Sequence, residues 1–280
     1  MFSILYGLLA AASWGGGDFA GGMAARKTGA YRAVFYAEAI GLTVLLVLVS
    51  VTHQQWPDPL SWGLSLVAGM VGTLGILMLY LAMAQGLMSI AAPVSALLTA
   101  ALPVLVGGIR EGLPSIGTFV GFGIALAAVW LISQGKDGIQ DIRSHLADLR
   151  LPLLAGLGFG GYFVLMNLAT HEATVWPMLA ARGSGFAIVA LFIAFRREGL
   201  SVGRAAWPAI LISGVLDIGG NFFFILAGRA GRMDVSAVLS ALYPAFTVIL
   251  AWLLLGERLA RRQTIGVVLA LLAIVLLTIA

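Results

Sequence analysis

The sequence contains no cysteine, and only 10% of its 280 residues are charged. The absence of cysteine excludes disulfides, thiolate metal ligands and cysteine nucleophiles. A soluble domain of this length would carry a charge on roughly a quarter of its residues. Apolar residues make up 61% of the chain, which is more than one core can hide from water. Lipid is therefore the expected solvent.

Histidine is also scarce, and its three copies (His53, His145 and His171) fall in or beside predicted loops. We therefore expect no haem or zinc ligation inside the membrane. The net charge of +4 sits mostly in predicted loops, where it suits an anionic lipid surface. No basic patch resembles a nucleic-acid footprint, so nucleic acid is not an expected partner.

Ten apolar segments have the length that a helix needs to cross a bilayer, about 20 residues. We place them at residues 3–24, 31–51, 62–84, 89–109, 115–133, 151–170, 176–195, 207–228, 234–254 and 264–280. The first segment lacks a basic leader region and carries Trp14 and Asp18. These features favour a spanning helix over a cleaved signal peptide.

The longest polar stretch, residues 134–150, separates the first five segments from the last five. Within it, apolar residues recur at helical spacing beside charges: Ile139, Ile142, Leu146 and Leu149. This pattern predicts a short helix lying in the membrane interface and linking two halves.

An internal repeat appears when the chain is shifted along itself by 145 residues. Trp14-Gly15-Gly16 then aligns with Phe159-Gly160-Gly161, Gly75 with Gly220, Ser95-Ala96-Leu97 with Ser240-Ala241-Leu242, and Gly121 with Gly266. One constant offset across four helix pairs indicates a duplication. Because each unit has an odd number of spans, the second must enter the membrane from the opposite face, as in secondary transporters.

We therefore expect an all-α integral membrane protein whose ten transmembrane helices form two inverted five-helix repeats around a central cavity. The first repeat would cover residues 1–135 and the second residues 151–280, with a linker at 136–150 that contains the short interfacial helix.

The basic residues of the predicted loops are divided unevenly between the two faces. One face carries Arg26, Lys27, Arg32, Lys136, Arg143, Arg150, Arg196, Arg197, Arg204, Arg258, Arg261 and Arg262, whereas the face with the termini carries Arg110, Arg229 and Arg232. The positive-inside rule then predicts that both termini lie outside the cytoplasm. The abundance of arginine and the short loops fit a bacterial inner membrane.

Several short motifs resemble the EamA-like, ten-helix branch of the drug/metabolite transporter superfamily. Ala12-Ser13-Trp14-Gly15 is similar to the family's first helix, Tyr243-Pro244 and Leu255-Gly256-Glu257-Arg258 to the end of its ninth, and Gly266 to its tenth. The first half departs from this pattern, since Gly108-Ile109-Arg110-Glu111 replaces Leu-Gly-Glu. The resemblance implies export or exchange of amino acids, sugars, nucleotide conjugates or related solutes through a central cavity, with no cofactor and no ATP. Exporters of aromatic amino acids of the YddG type are among the family's members.

Ionisable residues within spans are candidates for function, because a charge in lipid is costly. Asp217 lies near the middle of the eighth segment with Asn221 one turn later on the same face, and it is a candidate for binding an ammonium group or a coupling proton. Asp18 follows three glycines in the first segment. For each carboxylate the alternative is a polar contact that only packs helices.

Glu38 and Arg182 invite interpretation as an ion pair, but the repeat argues against it. Residue 37 aligns with residue 182, so inversion places the two backbone positions at opposite depths, each roughly 10 Å from its own end of the membrane. We therefore expect both side chains to extend to the interface rather than to meet.

Around a central cavity, aromatic groups and hydroxyls would bind a planar or amphipathic solute. The full set of candidate binding residues is Trp14, Gly15, Asp18, Tyr80, Ser95, Thr99, Phe159, Tyr162, Asp217, Asn221, Ser240 and Tyr243. Pro93, Pro103 and Pro244 interrupt the fourth and ninth segments and are candidate gating residues. Trp56, Trp62, Trp176, Trp207 and Trp252 lie near segment ends and are interpreted as interfacial anchors.

These observations favour a secondary transporter that exports a small organic metabolite, such as an amino acid, by alternating access. The expected partners are the solute, membrane lipid and, for a coupled transporter, protons; a monomer is compatible with the sequence. The alternatives are a passive uniporter or channel and a helical scaffold without a cavity. A membrane enzyme is not expected, since no histidine–carboxylate cluster or metal-ligand spacing is present.

Overall fold

The structure, a computed structural model, describes residues 2–52, 54–84, 88–133, 149–197, 199–256 and 260–279, with the backbone alone at residues 30, 80, 83, 84 and 88–93. The described residues are all helical apart from their connections. The helices are α1 (Phe2–Thr28), α2 (Ala30–Thr52), α3 (Pro59–Ala84), α4 (Met88–Glu111), α5 (Ile116–Ser133), α6 (Arg150–Ala169), α7 (Val175–Arg196), α8 (Trp207–Ala230), α9 (Met233–Ser240), α10 (Tyr243–Leu255) and α11 (Arg261–Ile279). A short 3₁₀-helix, Arg204–Ala206, precedes α8.

Eight stretches of the described chain are long and apolar enough to cross a membrane. They are formed by α2, α3, α4, α6, α7, α8, α11 and the combined α9 and α10. The helix α5 is apolar over the shorter range Ile116–Ile132. The helix α1 has a lower hydropathy because it carries six glycines and Asp18. Each predicted segment coincides with a helix, the ninth with two. The predicted interfacial helix of the linker lies outside the described residues except for Leu149.

The ninth segment is broken, whereas the fourth is not. The helix α9 ends at Ser240, and α10 begins at Tyr243 with Pro244 in its first turn. A proline is tolerated there because the first turn of a helix has no internal partner for its amide. The expected interruption of the fourth segment is wrong, since α4 runs continuously from Met88 to Glu111 through Pro93 and Pro103. Neighbouring helices can hold such a helix together after the loss of one hydrogen bond.

The main helix contacts join the two halves of the chain. The helix α1 packs against α8, and α3 packs against α6; α5 pairs with α11, and α2 lies between α7 and α8. The helix α4 contacts α6 and α9, while α1 also contacts α9 and α10. Each half therefore completes the packing of the other, and neither forms a core by itself.

Small residues bring these helices close together, as in other membrane proteins. The same contacts recur in pairs at the 145-residue offset: Gly75 against Phe159 and Gly220 against Trp14; Gly160 against Leu98 and Gly15 against Tyr243; Gly121 against Leu277 and Gly266 against Ile132. In each pair the glycine and its partner exchange halves. These glycines thus allow close helix packing, in addition to lowering the hydropathy of the segments that contain them.

At the end of the molecule that carries the chain termini, polar side chains connect the helix ends. The Gln54 Oε1 atom accepts hydrogen bonds from the amides of Thr174 and Val175, at 3.1 and 3.0 Å, and so caps the start of α7. The rings of Trp56 and Trp176 lie 4.6 Å apart above this cap. Arg232 joins α9 to the end of α4, since it donates to the carbonyl of Gly112 at 2.6 Å and pairs with Asp234 at 2.8 Å.

Two glycine substitutions test the close packing. A Cβ atom at Gly214 would lie 2.8 Å from the carbonyl oxygen of Ala37 and 2.9 Å from the Ile40 Cβ atom. We expect Gly214→Ala to destabilise the protein by about 1–3 kcal/mol, because α2 and α8 must move apart. The measurement is the midpoint of thermal unfolding in detergent, followed by tryptophan fluorescence.

The control for this prediction is Gly123→Ala, since nothing lies within 4 Å of a Cβ atom at that position of α5. It should keep the wild-type midpoint or raise it slightly, because alanine has the higher helix propensity. Equal midpoints for the two variants would contradict the described contact between α2 and α8.

Candidate functional site

A polar cavity of about 110 Å³ lies among α1, α2, α3, α7 and α8. Its walls combine charged, aromatic and small side chains, namely Trp14, Gly17, Asp18, Val34, Ala37, Glu38, Ile76, Arg182, Ser213 and Asp217. Four ionisable groups in one cavity are unusual among membrane-spanning helices, where each charge requires a compensating partner. The cavity is therefore the first candidate for the functional site.

The centre of this site is Arg182, which forms ion pairs with two other helices. Its Nη1 atom lies 2.8 Å from the Glu38 Oε2 atom of α2, and its Nη2 atom pairs with the Asp217 carboxylate of α8. The expectation that Glu38 and Arg182 stay apart is wrong. Backbone depth alone suggested separation, but both side chains are long and extend toward the middle of the helices, so their charged ends meet.

A second set of hydrogen bonds extends this ion cluster along α8 to α6. The Nδ2 atom of Asn221 donates to the backbone carbonyl of Asp217 at 2.8 Å, and the Tyr162 hydroxyl donates to the Asn221 Oδ1 atom. Asp217 and Asn221 thus lie on one face of α8, as their spacing in the sequence predicts. The connected groups fix the rotamers of Asp217 and Asn221, because each side chain has a defined partner.

Asp18 differs from the other carboxylates of the cavity. It is exposed to the cavity, and it has no hydrogen-bond or ion-pair partner within the described part of the chain. Trp14 lies four residues earlier on the same face of α1 and also lines the cavity. Asp18 and Asp217 line the same cavity from two different helices.

Aromatic side chains fill the space on one side of the cavity. The rings of Trp14 and Phe163 stack with centroids 5.3 Å apart and planes 8° from parallel, and Phe163 stacks in turn on Phe224 at 4.3 Å. Leu45 and Met166 are buried in the same cluster. This packing separates the cavity from the end of the molecule where the termini lie.

Most of the wall residues lie in the half of the molecule that is farther from the chain termini. Asp18 and Ile76 lie in the second halves of α1 and α3, whereas Glu38 and Ser213 lie in the first halves of α2 and α8. These helix ends meet near Lys27, whose Nζ atom donates to the carbonyl of Ala205 at 3.2 Å. The cavity therefore lies toward the face with the basic loops.

Several predicted binding residues lie in helix contacts instead of the cavity wall. Gly15 packs against α10, and its carbonyl accepts a hydrogen bond from Thr247 at 3.1 Å. Ser95 and Thr99 are buried in α4, and Ser95 lies against Gly156 of α6. The hydroxyl of Thr99 donates to the Ser95 carbonyl at 2.8 Å. Ser240, fully buried at the end of α9, has no hydrogen-bond partner for its hydroxyl among the described atoms.

The other predicted residues are half-buried or only partly described. Phe159 lies against Gly75, and Tyr243 packs beside the buried cluster that contains Leu242. The side chains of Tyr80 and Pro93 lie outside the described atoms. Pro103 is buried within α4, and Pro244 begins α10. The binding and gating roles of these residues stay predictions.

Sequence reasoning placed Trp14, Asp18 and Asp217 in the site but missed other wall residues. Glu38 and Arg182 carried the signal that could have found them, since both are charged within apolar segments. Gly17, Val34, Ala37, Ile76 and Ser213 gave none, because small and apolar residues are common throughout these helices. Among the described residues, no group of three or more histidine or acidic side chains could hold a metal ion.

An apolar helical protein whose helices enclose a cavity lined by ionisable side chains has the architecture of a membrane transporter for small solutes. The chain belongs to the EamA-like transporter family, whose sequence model matches residues 1–134 and again residues 149–279. It is thus a multi-pass membrane protein. This match confirms the resemblance to EamA-like transporters that the sequence motifs indicate.

The fold is also similar to a solved one. A structure titled "Crystal structure of protein" superposes with a TM-score of 0.78 at 17% sequence identity, over 99% of this chain and 97% of that chain. At this identity the likeness concerns the fold alone. The comparison with curated proteins found no match.

The ion cluster generates a prediction for stability. Arg182→Met would leave Glu38 and Asp217 without their shared cation, and breaking such a buried pair costs about 3–5 kcal/mol. We expect a lower thermal midpoint in detergent at neutral pH. The double variant Arg182→Met with Glu38→Gln should recover part of this loss, because it removes the more buried of the two unpaired carboxylates. The Glu38 side chain is 10% exposed, whereas that of Asp217 is 38% exposed. A double variant no more stable than Arg182→Met would contradict the described pairing.

Proposed function

We propose that this protein is a secondary transporter that exports a small, amine-bearing organic metabolite by alternating access. The observation that carries the proposal is the ionised cavity among α1, α2, α3, α7 and α8. Ionisable groups at such a position are the usual sites of substrates and coupling ions. The cavity lining holds three acidic residues and one basic residue, which favours a solute that carries an amine. Amino acids are one such class, and we include in this proposal the resemblance to exporters of the YddG type.

The architecture in this proposal is the predicted pair of inverted five-helix repeats, residues 1–135 and 151–280, with α1 and α5 crossing the membrane as well. Two observations support it. The family's sequence model matches the chain twice, once in each half. Glycine contacts such as Gly75 with Phe159 and Gly220 with Trp14 recur at the 145-residue offset with the halves exchanged, as expected for a twofold axis in the membrane plane.

Alternating access then follows from exchange of conformation between the repeats. The cavity lies toward the face with the basic loops, and the stacked rings of Trp14, Phe163 and Phe224 close the other side. We take this arrangement as the state open to the cytoplasm. The outward state requires these rings to separate and the helices around Asp18 and Ser213 to close. The break between α9 and α10, at Ala241 and Leu242, offers a hinge for this movement.

We also propose the bacterial inner membrane as the location, with both termini outside the cytoplasm. The chain lacks cysteine, so one introduced cysteine can report its own side of the membrane. In intact cells, a membrane-impermeant maleimide should label Glu172→Cys and should label Arg197→Cys only after the membrane is opened. Both positions are exposed at helix ends. The reverse labelling pattern would contradict this orientation.

The transport mechanism distinguishes the proposal from a passive uniporter and from a scaffold. A panel of radiolabelled amines and amino acids is tested for flux into proteoliposomes, with and without a pH gradient. A coupled transporter accumulates its solute against a gradient, a uniporter only equilibrates it, and a scaffold produces no flux. Empty liposomes supply the background. Flux for no solute, despite a folded protein, would overturn the proposal.

The variant Asp217→Asn tests the role of the ion cluster in coupling. The amide is nearly isosteric with the carboxylate, so we expect the fold to remain and uphill transport to be lost. The loss follows because Arg182 would keep one anionic partner instead of two. Glu172→Gln, an exposed carboxylate outside the cavity, is the matched control. Unchanged uphill transport in Asp217→Asn would remove this residue from the mechanism.

A further inference from the structure

The cavity carries an excess of negative charge. Among its described wall residues, Asp18, Glu38 and Asp217 are acidic, and Arg182 alone is basic. Arg182 neutralises parts of both Glu38 and Asp217, with its two terminal nitrogens directed to different helices. The guanidinium is therefore already occupied, and it is not free to bind an anionic group of a solute.

Asp18 is the acidic wall residue that does not pair with Arg182. It is exposed to the cavity and has no protein partner in the described ranges. An uncompensated carboxylate between apolar helices is costly, and a cation that enters the cavity would remove that cost. Trp14, one turn earlier on the same face, offers an indole ring, which attracts ammonium groups through its π-electrons.

We infer that the cavity selects solutes by net positive charge, with the cationic amine bound at Asp18 beside Trp14. This inference rests on the proposed transport function and narrows its substrate class from amine-bearing metabolites to organic cations. A zwitterion of the same skeleton would place its carboxylate near Asp18, Glu38 and Asp217, with no free cation among the described wall residues to pair with it. Like charges this close repel each other, and they do so more strongly between protein helices than in bulk water.

Matched pairs of solutes that differ by one carboxylate test the inference. Ethanolamine is compared with serine, and tyramine with tyrosine. Binding to the purified protein in detergent is measured by isothermal titration calorimetry, which avoids the passive leak of amines through bilayers. We expect each amine to bind at least about tenfold more tightly than its amino acid, because the carboxylate of the amino acid would lie unpaired beside like charges, and leaving a charged group without a partner lowers affinity by about that factor or more.

Variants of Asp18 assign the preference to one residue. Asp18→Asn should reduce the preference for the amine by about tenfold or more, and Asp18→Glu should retain part of it, because the charge remains. The control is Glu172→Gln, which removes an exposed carboxylate outside the cavity and should leave the preference unchanged. Circular dichroism and the thermal midpoint show whether each variant is folded.

The outcomes separate this inference from the proposed function. Equal or tighter binding of the amino acids, no binding of either amine, or an unchanged preference in folded Asp18→Asn would overturn the inference. Proteoliposome flux of amino acids in the presence of any of these results would still support a solute transporter. Absence of flux for every solute would overturn the proposed function itself.

Discussion

The ion pairs of Arg182 are the interaction on which the arrangement of the central helices depends. One guanidinium, 12% exposed, holds α2 and α8 to α7 through Glu38 and Asp217. A single charge at the centre of a spanning helix costs about 2.5–3.5 kcal/mol on insertion scales, so neither partner is stable there alone. The three groups are therefore interdependent. Any movement that opens the cavity has to keep their charges paired or hydrated.

The surrounding helices give this cluster a fixed geometry because they pack closely across the two halves. Gly214 lets α8 approach α2 near Glu38, and Gly69 lets α3 approach the backbone of α7 at Ala181, one residue before Arg182. Larger side chains at these positions would push apart the helices that hold the charges. The high glycine content of the chain thus has a direct connection to the site: close backbones place Glu38, Arg182 and Asp217 within reach of one another.

The positions of the helices were predictable from hydropathy because each requires a long apolar run. Predicted and observed ends differ by a few residues, for example 62–84 against Pro59–Ala84 for α3. The pairing of Glu38 with Arg182 was not predictable in the same way. Hydropathy fixes the depth of a backbone position, but the meeting of two side chains depends on rotamers and on the packing of α2 against α7. Similarly, Ser95 was a reasonable candidate hydroxyl, and only the contact with Gly156 places it between helices.

The charges of the cavity also break the internal symmetry of the chain. At the 145-residue offset, Asp18 corresponds to Phe163, Glu38 to Gly183, Arg182 to Ala37 and Asp217 to Gly72, so no ionised group has an ionised counterpart. If the two halves exchange conformations, the resulting states are alike in backbone but unlike in chemistry, because polar groups would face an opening on one side and stacked rings on the other. The two states then differ in free energy, so the empty carrier would not divide its time equally between the two compartments.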